Sequence, residues 1–247
     1  MNPRYRLAAI LSLFALVLVT SAAFAAKPAP VVSPIISGTE IENLTVAPPR
    51  YTHTVCTLGE VGAPGYIVDY LLPPGDGYYT LVDPSACGCA GGSVLLTNIK
   101  MALNFRVVCA QPVTIQVVGA TGDAACYAPD PSNVLCPPQN YLLSPAAPGN
   151  FLFTMPITSD CCISGPAYIV VTFGNFPAAC NTSARWPRLL TTLSCVPCES
   201  YNIWPGGADE LCGIGFPGNP VMQADADCCN VTPTHRNTWG GMKILYR

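Results

Sequence analysis

Charge is scarce in this chain. Eleven Lys and Arg stand against 14 Asp and Glu in 247 residues, so 10% is charged where about 25% is usual. The net charge of −3 offers no basic footprint, and no nucleic-acid partner is expected. Histidine is scarcer still: His53 and His235 alone leave little room for imidazole ligands or bases. Beyond the first 26 residues no apolar run approaches the length of a membrane span. Helical periodicity is almost absent there too, and 26 prolines recur too often for long uninterrupted helices. The Gly-x-Ser-x-Gly elbow, His-Glu-x-x-His, a phosphate loop and a dinucleotide fingerprint are all missing. These absences exclude the commonest recognisable enzyme classes, and no catalytic residue and no cofactor is assigned.

What is present begins with an export pattern. Arg4 and Arg6 precede an apolar stretch over residues 7–20, and Ala23-Phe24-Ala25 supplies small residues where a signal peptidase reads. Residues 1–25 are therefore read as a signal peptide cleaved after Ala25, in preference to an uncleaved anchor. Removal leaves 222 residues with 9 basic and 14 acidic side chains, net −5, and no membrane association is expected of the mature chain. The expected location is secreted, extracellular or at the cell surface.

All 14 cysteines lie beyond that segment: Cys56, Cys87, Cys89, Cys109, Cys126, Cys136, Cys161, Cys162, Cys180, Cys195, Cys198, Cys212, Cys228 and Cys229. An even count in an exported chain reads as a disulfide framework of up to seven bridges. Cys195-x-x-Cys198 also fits a redox pair or half a zinc site, but no helix pattern follows it and export works against reduced thiolates. Neighbours at 161/162 and 228/229 point to opposite faces if extended, so each serves a different partner, one toward the core and one toward the surface. Connectivity stays open; Cys126–Cys136 and Cys198–Cys212 are two local closures that the spacing allows.

Residues 26–50 are rich in Pro, Val and Ser, lack cysteine, and read as an extended leader or linker ending in an edge strand. Residues 51–247 read as one domain. Alternation is clearest in one long segment. Leu95, Ile99, Met101, Leu103 and Phe105 are assigned to one face, Asn98, Lys100, Asn104 and Arg106 to the other. Further strands are expected over 66–72, 113–118, 151–156, 168–173 and 221–226, with a C-terminal strand over 242–246. Short strands separated by Gly, Pro, Asn and Asp clusters predict an all-β, disulfide-rich β-sandwich, with the jelly roll as one consistent topology. Gly149-Asn150 and Gly218-Asn219 each open an apolar segment ending in Asp-Cys-Cys, which marks similar strand ends and not a duplicated domain.

Candidate binding residues are few. Trp204, in a Gly- and Pro-rich loop, with Tyr201 and Trp186, offers aromatic faces for stacking a sugar; packing is the competing role. Trp239 is the third tryptophan. Asp225 and Asp227 share one face of a strand and form the calcium candidate; Asp209-Glu210 is the other close carboxylate pair. Asn43, Asn181 and Asn230 head glycosylation-type triplets.

The last ten residues, Thr238-Trp239-Gly240-Gly241-Met242-Lys243-Ile244-Leu245-Tyr246-Arg247, and the stretch 198–229 with Pro217-Gly218-Asn219-Pro220, resemble the C-terminal part of secreted, cysteine-rich, all-β proteins of uncultured bacteria that have no assigned activity. The resemblance covers the last quarter of the chain. It implies secretion and a β-sandwich and carries over no catalytic residue; the tail is either a final strand or a surface-sorting signal.

The function expected from sequence is a secreted, non-catalytic structural, surface or adhesion protein, partnered by a surface glycan or by itself. The alternatives are a carbohydrate-binding module using the loop aromatics and a secreted hydrolase whose site is not recognisable.

Overall fold

The computed structural model describes residues 27–35, 40–51, 56–71 and 74–229. The expected signal peptide, His53, His235, Trp239 and the C-terminal strand lie outside them. No described helix is long and apolar enough to cross a membrane.

Fifteen strands form among the described residues: β1 (Val31–Pro34), β2 (Glu42–Thr45), β3 (Cys56–Gly59), β4 (Tyr66–Asp69), β5 (Asp76–Val82), β6 (Val94–Phe105), β7 (Gln111–Asp123), β8 (Cys126–Leu143), β9 (Gly149–Pro156), β10 (Cys162–Ile163), β11 (Ala167–Phe173), β12 (Arg188–Thr191), β13 (Ser200–Trp204), β14 (Gly207–Glu210) and β15 (Met222–Cys228). The only helices described are short 3₁₀ turns. The chain is all-β, in two sheets. One has nine strands organised around β6, which pairs with β12 and β15, and with β9 and β10. The other has six, in the order β14-β13-β5-β11-β7-β8.

The core lies between the sheets, where alternate residues of facing strands meet. Ile99, Met101, Leu103 and Phe105 of β6, with Phe151, Phe153 and Met155 of β9, pack against Ile169, Val171 and Phe173 of β11 and Val113, Ile115 and Val117 of β7. Phe105 meets Phe153 edge-on at 5.5 Å. The alternation expected in β6 holds from Asn98 onward but not before it. The pairing of β6 with β15 slips by one residue opposite Thr97, so Leu96, not Leu95, is fully buried. A bulge inserts one unpaired residue and flips the side-chain phase, which strict alternation cannot anticipate.

The described parts of the segment read as a leader, residues 27–35 and 40–50, contribute two strands to the nine-stranded sheet. β1 pairs antiparallel with β4, and β2 pairs parallel with β9. The longest hairpin, β7–β8, carries several register shifts, and its edge strand β8 includes Pro129, Pro131, Pro137 and Pro138. Proline lacks the N–H that a further strand would need, which suits it to an edge. The hairpin tip crosses the outer face of the six-stranded sheet. There Tyr168 of β11 and Tyr201 of β13 both donate to the Tyr127 carbonyl.

Seven disulfides use all 14 cysteines. The pairs are Cys56–Cys87, Cys89–Cys228, Cys109–Cys180, Cys126–Cys198, Cys136–Cys161, Cys162–Cys229 and Cys195–Cys212. The local closures considered from sequence are therefore wrong: Cys126 bonds Cys198, pinning the hairpin tip, and Cys136 bonds Cys161. Each member of a close pair takes a different partner. Cys161 is buried and Cys162 exposed, as alternation along an extended chain requires. Such a framework belongs to an oxidising environment.

Candidate functional site

The most densely organised polar site surrounds Lys27, just before β1. Its ammonium lies 2.7 Å from Asp76 Oδ1, 3.0 Å from Asp76 Oδ2 and 2.7 Å from Asn202 Oδ1. It also donates to the Tyr78 hydroxyl at 3.3 Å. The pairing of β5 with β13 sets Asn202 opposite Tyr78, bringing the acid, the phenol and the amide to one place. Asn202 Nδ2 donates to Asp76 Oδ1 at 2.7 Å and to the Gly77 carbonyl at 3.0 Å. Three aromatic rings wall the ammonium: Tyr70 at 3.9 Å, Tyr78 at 5.3 Å and Trp204 at 5.4 Å from the ring centroids.

The Lys27 and Asp76 side chains are 1% and 0% exposed. Burial pulls the Lys27 amine down to about 8, against the opposing pull of Asp76. Burial, with Asp76 adding to it, pushes the Tyr78 phenol well up. Tyr70 is also raised, by burial and then by its hydrogen bond to Asp209 at 3.0 Å. Chemically the site is a primary amine, a carboxylate and a carboxamide in mutual contact, shielded from water.

Sequence reasoning singled out none of Lys27, Asp76 and Asn202. The available signal was slight: Lys27 is the one basic residue between Arg6 and Arg50, alone in a Pro- and Val-rich segment. Its partners lie 49 and 175 residues away.

The start of the leader separates two clefts. One, of about 430 Å³, is lined by Trp204, Tyr70, Asp209 and Ile214 with residues 27–30. The other, of about 360 Å³, is lined by Trp186, Asp69, Arg106 and Leu71 with Pro28, Ala29 and Val31. Trp204 ends β13 and is half-buried against the leader, where the sequence suggested an open loop. Trp186 stacks on Phe176 with centroids 5.2 Å apart. Its buried indole N–H has no hydrogen-bond partner among the described residues. Arg106 and Asp69 form an ion pair at this cleft. Tyr201 is elsewhere, on the outer face of the six-stranded sheet, edge-on to Tyr168 at 5.8 Å. The three aromatic candidates therefore form no single platform.

The two aspartates are also held separately. Asp225 accepts from Lys100 at 2.7 Å, Asn98 at 3.0 Å and Thr57 at 3.3 Å. Asp227 accepts from the backbone N–H of Cys228 at 2.7 Å. Among the described residues no three His, Cys, Asp or Glu side chains cluster as metal ligands. The Gly-Asn pairs differ in role. Asn150 accepts from Asn104 at 2.7 Å, while Asn219 donates to Glu199 at 2.7 Å beside the Cys195–Cys212 bridge.

A family described as a domain of unknown function (DUF7451) matches residues 53–226, and the chain belongs to it. The match overlaps the 198–229 stretch and stops short of the last ten residues, the other part of the resemblance noted above. No curated protein and no solved structure matches.

Proposed function

We propose that this member of the DUF7451 family is an exported, non-catalytic β-sandwich serving as a structural, surface or adhesion component. The supporting observation is the complete pairing of 14 cysteines across both sheets, which commits the thiols to holding the fold. The sequence supplies the export pattern. The test has two parts. Mature protein recovered from the producing cell is expected outside the cytoplasm, oxidised, with its N-terminus at Ala26. The purified protein is then expected to self-associate or to bind cell-surface material. Reduced protein confined to the cytoplasm would overturn the reading.

The Trp186 cleft favours a second reading, carbohydrate binding. The Trp186 side chain and the neighbouring Arg106–Asp69 pair set an aromatic wall beside charged hydrogen-bonding groups. A glycan array separates the two. Binding lost in Trp186→Ala and kept in Tyr201→Ala would establish the sugar site, and a blank array would leave the structural role.

A further inference from the structure

We propose that the Lys27 site is an autocatalytic cross-linking centre, in which the Lys27 amine displaces ammonia from the Asn202 side-chain amide to form an intramolecular isopeptide bond. The inference rests on the geometry of this site alone and not on the surface-protein reading.

An amine and a carboxamide do not react in water, because the amine is protonated and the amide is a poor electrophile with a poor leaving group. Here each obstacle has a counterpart. Nζ is 2.7 Å from Asn202 Oδ1, so the amide carbon lies one C=O bond beyond an atom it already touches. Asp76 contacts both reacting groups, the amine at 2.7 Å and the amide nitrogen at 2.7 Å. It is therefore the catalytic residue, placed to take a proton from one and give it to the other. Burial favours the neutral amine, consistent with the lowered Lys27 value of about 8. The groups facing the amine are Asp76 and Tyr78 of β5, Asn202 and Trp204 of β13, and Tyr70 after β4, with Asp209 of β14 adding charge from farther off.

The step balances as follows. Asp76 accepts a proton from the Lys27 ammonium. The freed lone pair forms the Nζ–Cγ bond, and the carbonyl electrons move to Oδ1. Asp76 passes its proton to Nδ2, and the C–Nδ2 bond breaks as the carbonyl re-forms. The proton shed by Nζ leaves with the departing ammonia as ammonium, Asp76 returns to carboxylate, and no oxidant is needed. The product ties residue 27 to β13 in the six-stranded sheet, while β1, four residues on, belongs to the nine-stranded sheet. Unlike the seven disulfides, this tie would survive reduction.

The test is the intact mass of the full chain, exported and purified, then denatured, reduced and alkylated. The expected result is a mass one ammonia (about 17 Da) below the sequence mass, with a branched peptide joining Lys27 to Asn202 after digestion. Lys27→Arg is expected to abolish the loss, and Asp76→Ala to slow it about 100-fold or more, each checked for seven disulfides and β-sheet circular dichroism. If neither variant folds, the branched peptide of the wild-type chain decides alone. An unlinked mass with Lys27 open to amine reagents after denaturation would overturn the proposal. A loss of one water (about 18 Da) with the branch at Asp76 would overturn Asn202 as the acceptor.

Discussion

Replacing Cys89 and Cys228 together by serine removes the bridge with the largest sequence separation, 139 residues. Closing a loop of that length in an otherwise unconstrained chain is worth about 5 kcal/mol in the chain-entropy account. The other six bridges shorten it. Without Cys89–Cys228, the unfolded chain still connects these positions through Cys109–Cys180 and Cys162–Cys229. That path runs 20 residues from Cys89 to Cys109, 18 from Cys180 to Cys162 and one from Cys229 to Cys228, about 39 in all. The same account then gives about 4 kcal/mol, a melting shift of roughly 8–16 °C for a domain near 200 residues. Both cysteines are only half-buried, so the serine hydroxyls keep access to water and add little cost of their own. The comparison is Cys195→Ser with Cys212→Ser, where a separation of 17 gives about 3 kcal/mol. Denaturant unfolding of both variants without reductant measures the two losses. A Cys89–Cys228 loss below about 1 kcal/mol, or clearly below that of the Cys195–Cys212 variant, would refute loop closure as the source of the stability.

Alkali is expected to unfold the protein cooperatively. An exposed tyrosine ionises near 10.0, while burial holds Tyr70, Tyr78 and Tyr168 protonated to higher pH. The folded state then binds more protons than the unfolded one, so stability falls as pH rises past 10. Tyrosinate absorbance from these residues should appear together with the loss of β-sheet circular dichroism; ionisation at 10 in a folded protein would contradict it. Gly218→Ala is expected to cost about 2 kcal/mol or more, since its Cβ would stand 2.0 Å from the Thr192 carbonyl oxygen, a backbone atom; thermal melting checks this. Asp225→Ala strands Lys100 and Asn98. Lys100 keeps 21% exposure, so the expected loss is about 2–3 kcal/mol, below that of a fully buried pair. A calcium ion at Asp225 would have to displace that ammonium, so melting curves with calcium and with a chelator are expected to superimpose.

What could be read from the sequence was what depends on near neighbours. Ala167–Phe173 and Gly149–Pro156 emerge within a residue or two of the expected strands, because apolar runs bounded by Gly and Pro encode burial locally. The opposed directions of Cys161 and Cys162 follow from the geometry of an extended chain. What failed depends on tertiary detail. The Thr97 bulge is set by the fit of β6 to β15, so Leu95 was assigned the face that Leu96 occupies. Local closures between cysteines 10 and 14 residues apart were considered, whereas the bridges formed span 17 to 139. Trp204 resembled a loop aromatic because nothing near it indicates that residues 27–30 lie against it.

The scarcity of charge bears directly on the Lys27 site. Exposed ion pairs contribute little to stability, so a chain with few charges gives up little by having few of them. A buried pair behaves differently: removing one partner leaves an uncompensated charge at a cost of about 3–5 kcal/mol. Lys27 and Asp76 are such a pair, and Asn202 and Tyr78 hydrogen-bond to both of its members. A merely structural anchor for the start of the leader would be served as well by apolar residues at both 27 and 76, since well-packed apolar groups often replace buried ion pairs without loss. The three groups instead include both partners of an amide-forming reaction and an acid touching each. Lys27→Met therefore discriminates between the two roles. If the site only anchors, the variant leaves Asp76 unpaired and should lose about 3–5 kcal/mol, and after reduction and digestion the peptides carrying residues 27 and 202 should be separate in wild type and variant alike. If the site cross-links, the peptides carrying residues 27 and 202 should stay joined in the reduced, denatured and digested wild type and come apart in the variant.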